Sequence, residues 1–414
     1  MDLGQSARNR NLPLNAKFLL QRIFKGENYL AVFVAGVPLA VLFEDIYGGE
    51  AVLKGQPWYV LVPFVFAAIS GIFWLRFNRI GNYSKSTLTF LIAMIFAWSI
   101  LISLEIIDGL AHNYTTYLVP VILLMLIFKP ISANAALRVG NTLAWATILV
   151  IVISFVHDLF RGEQLPALGI RLPGVSLAVF EGARWVGPFE NPNYAGPIVA
   201  FLLIYAFAKT GWQRWIFMVS GATLVLMSGS RSAFLGSLAG LIIIFIYSRS
   251  PSLERIGRGA KAAIVGAIFI AFSVIGIAVD PTLNGRTPIW PEYWRMWLVD
   301  PLTGIGTQEI QSRISAGEIG PEFVHAHNLF LDLLGRYGIV GFISITLVLG
   351  LALAVAIGAA RRSDSLSLAL VLTFLTIGLV EVHGSWLYWS IPTCWLLIAV
   401  LVGSRQPKTK PLNN

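Results

Sequence analysis

The densest cluster of groups able to move a proton is His325-Ala326-His327-Asn328. An imidazole titrates near neutral pH, so either histidine has the chemistry of a general base toward a hydroxyl. Leu329, Phe330, Leu333 and Leu334 follow at helical spacing, with Asp332 and Arg336 off that stripe. This pattern predicts a short amphipathic helix leading into a longer apolar one that starts near Gly338. A histidine at the head of such a helix has a firm backbone mount and access to water. The competing reading is a histidine that caps the helix or bonds a loop carbonyl.

Four arginines are candidates for holding an anion. Arg231 follows Ser228-Gly229-Ser230, where two short apolar runs meet. A guanidinium so near hydrocarbon is costly without a partner. Its planar fork suits a diphosphate, and Ser228, Ser230 and Ser232 add donors; the competing reading is snorkelling to lipid headgroups. Arg286 lies in Asn284-Gly285-Arg286-Thr287-Pro288, within reach of the same place, while Arg184 and Arg171 belong to an earlier segment. Gly187-Pro188-Phe189-Glu190-Asn191-Pro192-Asn193-Tyr194 is a stiff, polar entry into a helix. Asn193 fits there as an N-cap; the functional reading has Asn191, Asn193 and Tyr194 touching sugar or phosphate.

Glu44-Asp45, just past the first apolar run, is a pair able to hold a divalent metal. No third carboxylate joins it at a matching spacing, so a solvated turn is the simpler reading and no metal or cofactor is expected. The chain has no phosphate-cradling glycine loop, HExxH or GxSxG, which removes ATP hydrolysis, zincin and serine-hydrolase chemistry. The one cysteine, Cys394, leaves no disulfide framework.

These groups are set in a chain too apolar to be a water-soluble globule. Of its 414 residues 56% are hydrophobic and 12% charged, with a mean hydropathy of +0.74, against about 25% charged in an ordinary soluble domain. Runs near the length needed to cross a bilayer fall at 29–43, 58–75, 87–104, 114–128, 139–156, 194–208, 214–230, 232–247, 262–279, 338–358, 365–381 and 386–403. The fold class expected is therefore all-α: a polytopic membrane protein of about twelve transmembrane helices. It forms one integral-membrane domain, 1–404, with a cytoplasmic tail, 405–414. The basic residues before the first run are spread too widely, without a following cleavage site, for a signal peptide.

With the N-terminus inside, the inner segments hold 21 of the 30 Lys+Arg and only Asp2, Glu27, Glu254 and Asp364 of the acids. That asymmetry sets the orientation. The formal charge of +9 then reflects anchoring to anionic lipid, and nucleic acid is not an expected partner. Two outer segments, 157–193 and 280–337, exceed the 12–15 residues beyond which loops usually carry function or disorder; their aromatic content argues against disorder. All five histidines fall on that outer side, which also suits a proton-coupled carrier. A carrier, however, concentrates polar sites near mid-membrane, whereas here they gather at one face.

His327-Asn328, nine residues, Gly338, two residues and Gly341 form a spacing that resembles the long-loop signature of the O-antigen ligase and O-antigen polymerase superfamily. Gly187–Asn193, Ser228-Gly229-Ser230-Arg231-Ser232-Ala233, Gly285-Arg286 and Pro301–Gly306 are similar to further stretches of that family. The resemblance spans roughly residues 185–345. It implies a bacterial inner-membrane glycosyltransferase, its site facing the periplasm, that moves a glycan from an undecaprenyl diphosphate carrier. The acceptor would be a lipid A–core sugar in a ligase, or a carrier-linked repeat in a polymerase. It implies an inverting reaction without metal or ATP, His327 as the essential histidine, and Arg231 and Arg286 as the essential arginines. His325, Asn328, Arg184, Asn191, Asn193 and Tyr194 are then expected to contact substrate. The ligase is the leading reading. An O-antigen or exopolysaccharide polymerase is the alternative, and a lipid-linked sugar transporter the alternative of another class.

Overall fold

A computed structural model of the chain describes residues 28–47, 83–107, 118–128, 130–160, 169–172, 175–178, 184–189, 191–248, 286, 288–362, 364–382 and 390–404. Among these, the α-helices in chain order are α1 (Asn28–Tyr47), α2 (Lys85–Ile107), α3 (Leu118–Phe128), α4 (Ala133–Phe160), α5 (Pro192–Tyr205) and α6 (Gly211–Ser228). They continue with α7 (Arg231–Ser248), α8 (Ile289–Val299), α9 (Thr307–Ser315), α10 (Leu329–Ala360), α11 (Ser365–Gly378) and α12 (Ile391–Gly403). Ten of the twelve predicted apolar runs coincide with helices. The other two, 58–75 and 262–279, lie outside the described residues, as do the tail 405–414, His112, His383, Glu190, Asn284 and Gly285. By length and composition α2, α4 and α10 are able to cross a membrane, and shorter apolar helices accompany them.

Two sequence expectations change. α1 continues to Tyr47, so Glu44 and Asp45 fall inside the helix rather than in a turn after it; their side chains, like that of Arg171, are outside the description. The segment 157–193 also carries one element that is not helical, an antiparallel hairpin of β1 (Gly169–Leu172) and β2 (Val175–Ala178). Its alternating short apolar residues flanking Pro173-Gly174 favour a turn, which the helical reading passed over.

The apolar helices pack around α5, whose residues Ala195–Tyr205 are all buried. It lies against α6, α7 and α11. Tyr205 at its end packs at a tilt against Trp395 of α12, ring centroids 4.9 Å apart, and its hydroxyl donates to the Leu137 carbonyl of α4. Without water to satisfy a buried hydroxyl, a neighbouring helix must supply the acceptor.

Residues 288–337 fold as a cap over one end of this bundle. Ile289, Tyr293, Met296, Ile310 and Ala326 form a small core of their own, which explains why so long a segment is ordered. The cap joins the bundle through a break in α10, where Gly338 takes φ 58°. The carbonyls freed by the break, Gly335 and Arg336, accept the N–H groups of Ile305 (3.0 Å) and Gly306 (3.1 Å). The freed N–H groups of Ile339 (2.9 Å) and Val340 (3.2 Å) donate to the carbonyls of Pro301 and Leu302. A Cβ on Gly338 would meet the Leu302 carbonyl oxygen at 2.3 Å, so both its left-handed backbone and this close approach need glycine. The short amphipathic helix and the span read from the sequence are thus two helices meeting at Gly338.

Candidate active site

His327 stands at the head of α10, beside the end of α11. Its Nδ1 is 2.8 Å from Glu381 Oε1, and Arg286 Nη2 donates to Glu381 Oε2 at 2.7 Å. The Glu381 side chain is 4% exposed. A carboxylate so buried is stable only with charge and hydrogen-bond partners, and it has an imidazole, a guanidinium and the Val382 N–H (3.2 Å). Arg286 also donates from Nη1 to the Val380 carbonyl, and Asn328 Nδ2 donates to Leu379 O at 2.8 Å. Donors from two other segments therefore converge on the chain just after α11.

The tautomer follows from these contacts. An ionised carboxylate only accepts, so His327 Nδ1 carries the hydrogen, and in the neutral imidazole the lone pair then lies on Nε2. His325 has the reverse arrangement: Arg336 Nη2 points at its Nδ1 from 3.3 Å, and a guanidinium only donates. Burial also pulls the His325 pKa below its ordinary value, with Arg336 and His327 adding to the lowering and the Asp332 carboxylate opposing it. Of the two histidines, His327 is the one whose Nδ1 is at hydrogen-bond distance from a carboxylate; His325 Nδ1 lies 3.9 Å from Asp332 Oδ1.

His327 holds φ 48°, in the left-handed region, and no other described non-glycine residue does. Such a conformation costs about 1–3 kcal/mol and persists where its surroundings over-determine it. Here they do. Asp332 Oδ1 accepts the Ala326 N–H at 3.0 Å, and Trp290 Nε1 donates to the Ala326 carbonyl at 3.0 Å. Asn328 caps α10, its Oδ1 accepting from the N–H groups of Phe330 and Leu331, each at 3.0 Å. Asp332 is paired with Arg336 (2.9 Å), and Arg336 also donates to the Val324 carbonyl. Both charged residues lie off the apolar stripe, yet both are buried; they clamp the turn that displays His327.

Arg231 begins α7, at the hinge where α6 ends. The hinge hydroxyls are buried and engaged locally: Ser228 Oγ donates to Val225 O (2.8 Å), and Ser230 and Ser232 share a bond of 3.0 Å. Arg184 straps the hinge to α5, donating from Nε to Ser228 O (2.8 Å) and from Nη2 to Asn193 Oδ1 (2.9 Å). The N-cap of α5 is Asn191, not Asn193: Asn191 Oδ1 accepts the Asn193 N–H at 2.8 Å, with Pro192 in the first turn. Gly196 lets this end of α5 press on the hinge, since a Cβ there would lie 2.6 Å from that of Ser230. Tyr194 in the same turn meets the His325 ring edge-on, centroids 6.5 Å apart. The sequence-predicted residues thus form two groups, 286/327/328 and 184/191/193/231, joined through Tyr194 and His325.

Glu381 and the Asp332–Arg336 clamp were missed by the sequence reading. One signal was present for Glu381: a lone carboxylate at the C-terminal end of an apolar helix opposes the helix dipole and so asks for a cationic partner.

Together these features define a helical chain with membrane-length spans whose folded cap presents a carboxylate-backed histidine beside an arginine. Residues 216–346 match the protein family described as O-antigen ligase, a stretch that contains Arg231, Arg286, His325, His327 and the Gly338 break and ends before Glu381. The match agrees with the resemblance carried by the His327-Asn328 spacing. The chain is also similar to the exopolysaccharide production protein ExoQ of Rhizobium meliloti (strain 1021), 26% identical over 40% of this chain and 45% of that protein. It therefore spans less than half the length of that relative.

Proposed function

We propose that this protein is a glycosyltransferase of the bacterial inner membrane, with its site on the periplasmic face. It moves a glycan from undecaprenyl diphosphate to a sugar hydroxyl. The observation that carries the reading is the 2.8 Å contact of His327 Nδ1 with Glu381, which leaves Nε2 to accept a proton. In this reading Nε2 takes the proton of the acceptor hydroxyl as its oxygen attacks the anomeric carbon from the face opposite the diphosphate. The new carbon–oxygen bond forms, the bond to the diphosphate oxygen breaks, and the centre inverts. Glu381 stabilises the imidazolium that results. Arg286, two of whose five N–H groups are described as engaged, turns the rest toward the leaving diphosphate, and Arg231 supplies the second cation. The energy comes from the glycosyl–diphosphate bond, so the reading requires neither nucleotide nor divalent ion.

The family description, O-antigen ligase, favours the ligase reading, for which we infer a lipid A–core acceptor. The similarity to an exopolysaccharide production protein favours a second reading, elongation of a carrier-linked repeat. One incubation separates them: protein in liposomes, glycan-diphosphate-lipid donor, and either acceptor alone. Product on lipid A–core indicates a ligase and a ladder on the carrier a polymerase. Transfer that survives His327→Ala removes the proposed base, and loss on EDTA restored by Mn²⁺ or Mg²⁺ removes the metal-free mechanism. Movement of the donor across the bilayer without a new glycosidic bond makes the protein a carrier.

A further inference from the structure

The two helices inside the cap present opposite faces to their surroundings. α9 buries Ile310 and turns Gln308, Glu309, Gln311, Ser312 and Ser315 outward, a surface made for water. α8 buries Ile289, Tyr293 and Met296, yet its other side is also apolar: Trp294 is 47% exposed, Leu298 57% and Val299 68%. A cap that lay wholly in water would not display such a face while its neighbour is polar.

The exposed face does not end with α8. Leu302, also exposed, accepts the Val340 N–H on its carbonyl at 3.2 Å. Val340, Ile343 and Leu347 then carry exposed apolar side chains down one side of α10, which is long and apolar enough to cross a membrane. The apolar surface of α8 thus leads through Leu302 to the exposed apolar side of a helix long enough to span a membrane. Trp294 and Trp297 lie with ring centroids 4.6 Å apart, and the exposed Arg295 is paired with Glu292 at 2.6 Å. Tryptophan with a nearby arginine is the composition of a helix lying in the plane of the membrane–water boundary.

We propose that α8 is seated in the phospholipid headgroup layer, on the side of the bilayer that carries the cap, and that this seating sets the depth of the site. The link to the site is short. Trp290 of α8 holds the Ala326 carbonyl next to His327, and the Arg286 carbonyl accepts the Ile289 N–H at the start of α8 (2.9 Å). A helix fixed at headgroup height holds both side chains at the level of lipid phosphates. The seating itself does not depend on the transfer chemistry above.

The test uses the full-length protein in nanodiscs, with a nitroxide on Leu298→Cys or, separately, on Ser312→Cys. Cys394 is buried and stays in place. Collision rates with oxygen, which partitions into lipid, and with a water-soluble nickel chelate are measured at each site. We expect oxygen to exceed the chelate several-fold at 298, with a depth near the headgroups, and the reverse at 312. Equal chelate access at both positions would overturn the proposal, because α8 would then face water. Shielding of 298 from both reagents would overturn it too, since a protein surface would be covering the helix. Both positions are exposed, so the label leaves the fold intact, and activity plays no part in the readout.

Discussion

The two places where functional side chains collect are built from different materials. At the α6–α7 hinge, hydroxyls, amides and carbonyls do the holding: Ser228 to Val225, Ser230 to Ser232, Asn191 to its own helix, and Arg184 to the neutral acceptors Ser228 O and Asn193 Oδ1. At the cap, charges hold charges: Arg286 with Glu381, and Arg336 with Asp332. A neutral bond lost at a hinge costs about 1 kcal/mol. A buried ion pair halved leaves an uncompensated charge and costs about 3–5 kcal/mol. The cap is therefore the more sensitive of the two to single changes.

The comparison is broken most directly at Glu381. Glu381→Gln keeps the shape but removes the charge that holds the proton on His327 Nδ1 and balances Arg286. Transfer is expected to fall by about 100- to 10,000-fold, the range spanned by general base catalysis. The loss should appear in kcat rather than in KM for the donor, and His327→Ala should cost at least as much. Near-normal kcat in Glu381→Gln would reduce the pair to packing. The next effect is on stability. Asp332→Asn strands Arg336 in the cap core, and melting in detergent should show about 3–5 kcal/mol of destabilisation. The double change Asp332→Asn with Arg336→Gln keeps an acceptor for the Ala326 N–H and a donor near the Val324 carbonyl while removing the stranded charge, and should restore part of it; if the double variant is no better than the single, the clamp is not acting as an ion pair.

The sequence carried the bundle because hydropathy at the length of a bilayer is a strong, local signal; ten apolar runs became helices for that reason. His327 and Arg286, which meet at Glu381, stood out because their neighbours form local patterns; Arg231 stood out in the same way and begins α7 at the hinge. The sequence did not carry Glu381, which lies 54 residues from His327 in the chain and meets it only because α10 leaves the cap and α11 returns. The clamp was hidden differently. Asp332 and Arg336 read as the polar side of an amphipathic helix, and only the cap core built on Tyr293 turns that side inward. The strand pair at 169–172 and 175–178 and the exchange of cap from Asn193 to Asn191 turn on short-range detail that hydropathy does not carry.

At the hinge the expected effect is smaller. Asn191→Ala removes the side-chain oxygen that accepts the Asn193 N–H, and it should lower stability by about 1 kcal/mol, with Asn191→Asp or Asn191→Ser restoring most of it. A loss as large as that in Asp332→Asn would show that the hinge is not the softer of the two regions.

The smallest effect concerns His325, which touches both regions through Tyr194 and Arg336. Its burial holds the folded-state pKa below the ordinary 6.5, so below that pH the unfolded chain binds a proton that the folded chain resists. The sign follows: this contribution is intact above pH 6.5 and stability falls as the pH drops from there toward the folded-state value. The side chain is still 35% exposed, and solvent screening keeps the effect small. The group's neighbours set the control. Asp332, Arg336, His327 and Glu381 all face this corner, so the pH dependence of the melting temperature between 7.5 and 5.5 must be compared in wild type and His325→Gln. A shallower slope in the variant assigns that share to His325; an identical slope leaves His325 a packing residue between cap and hinge.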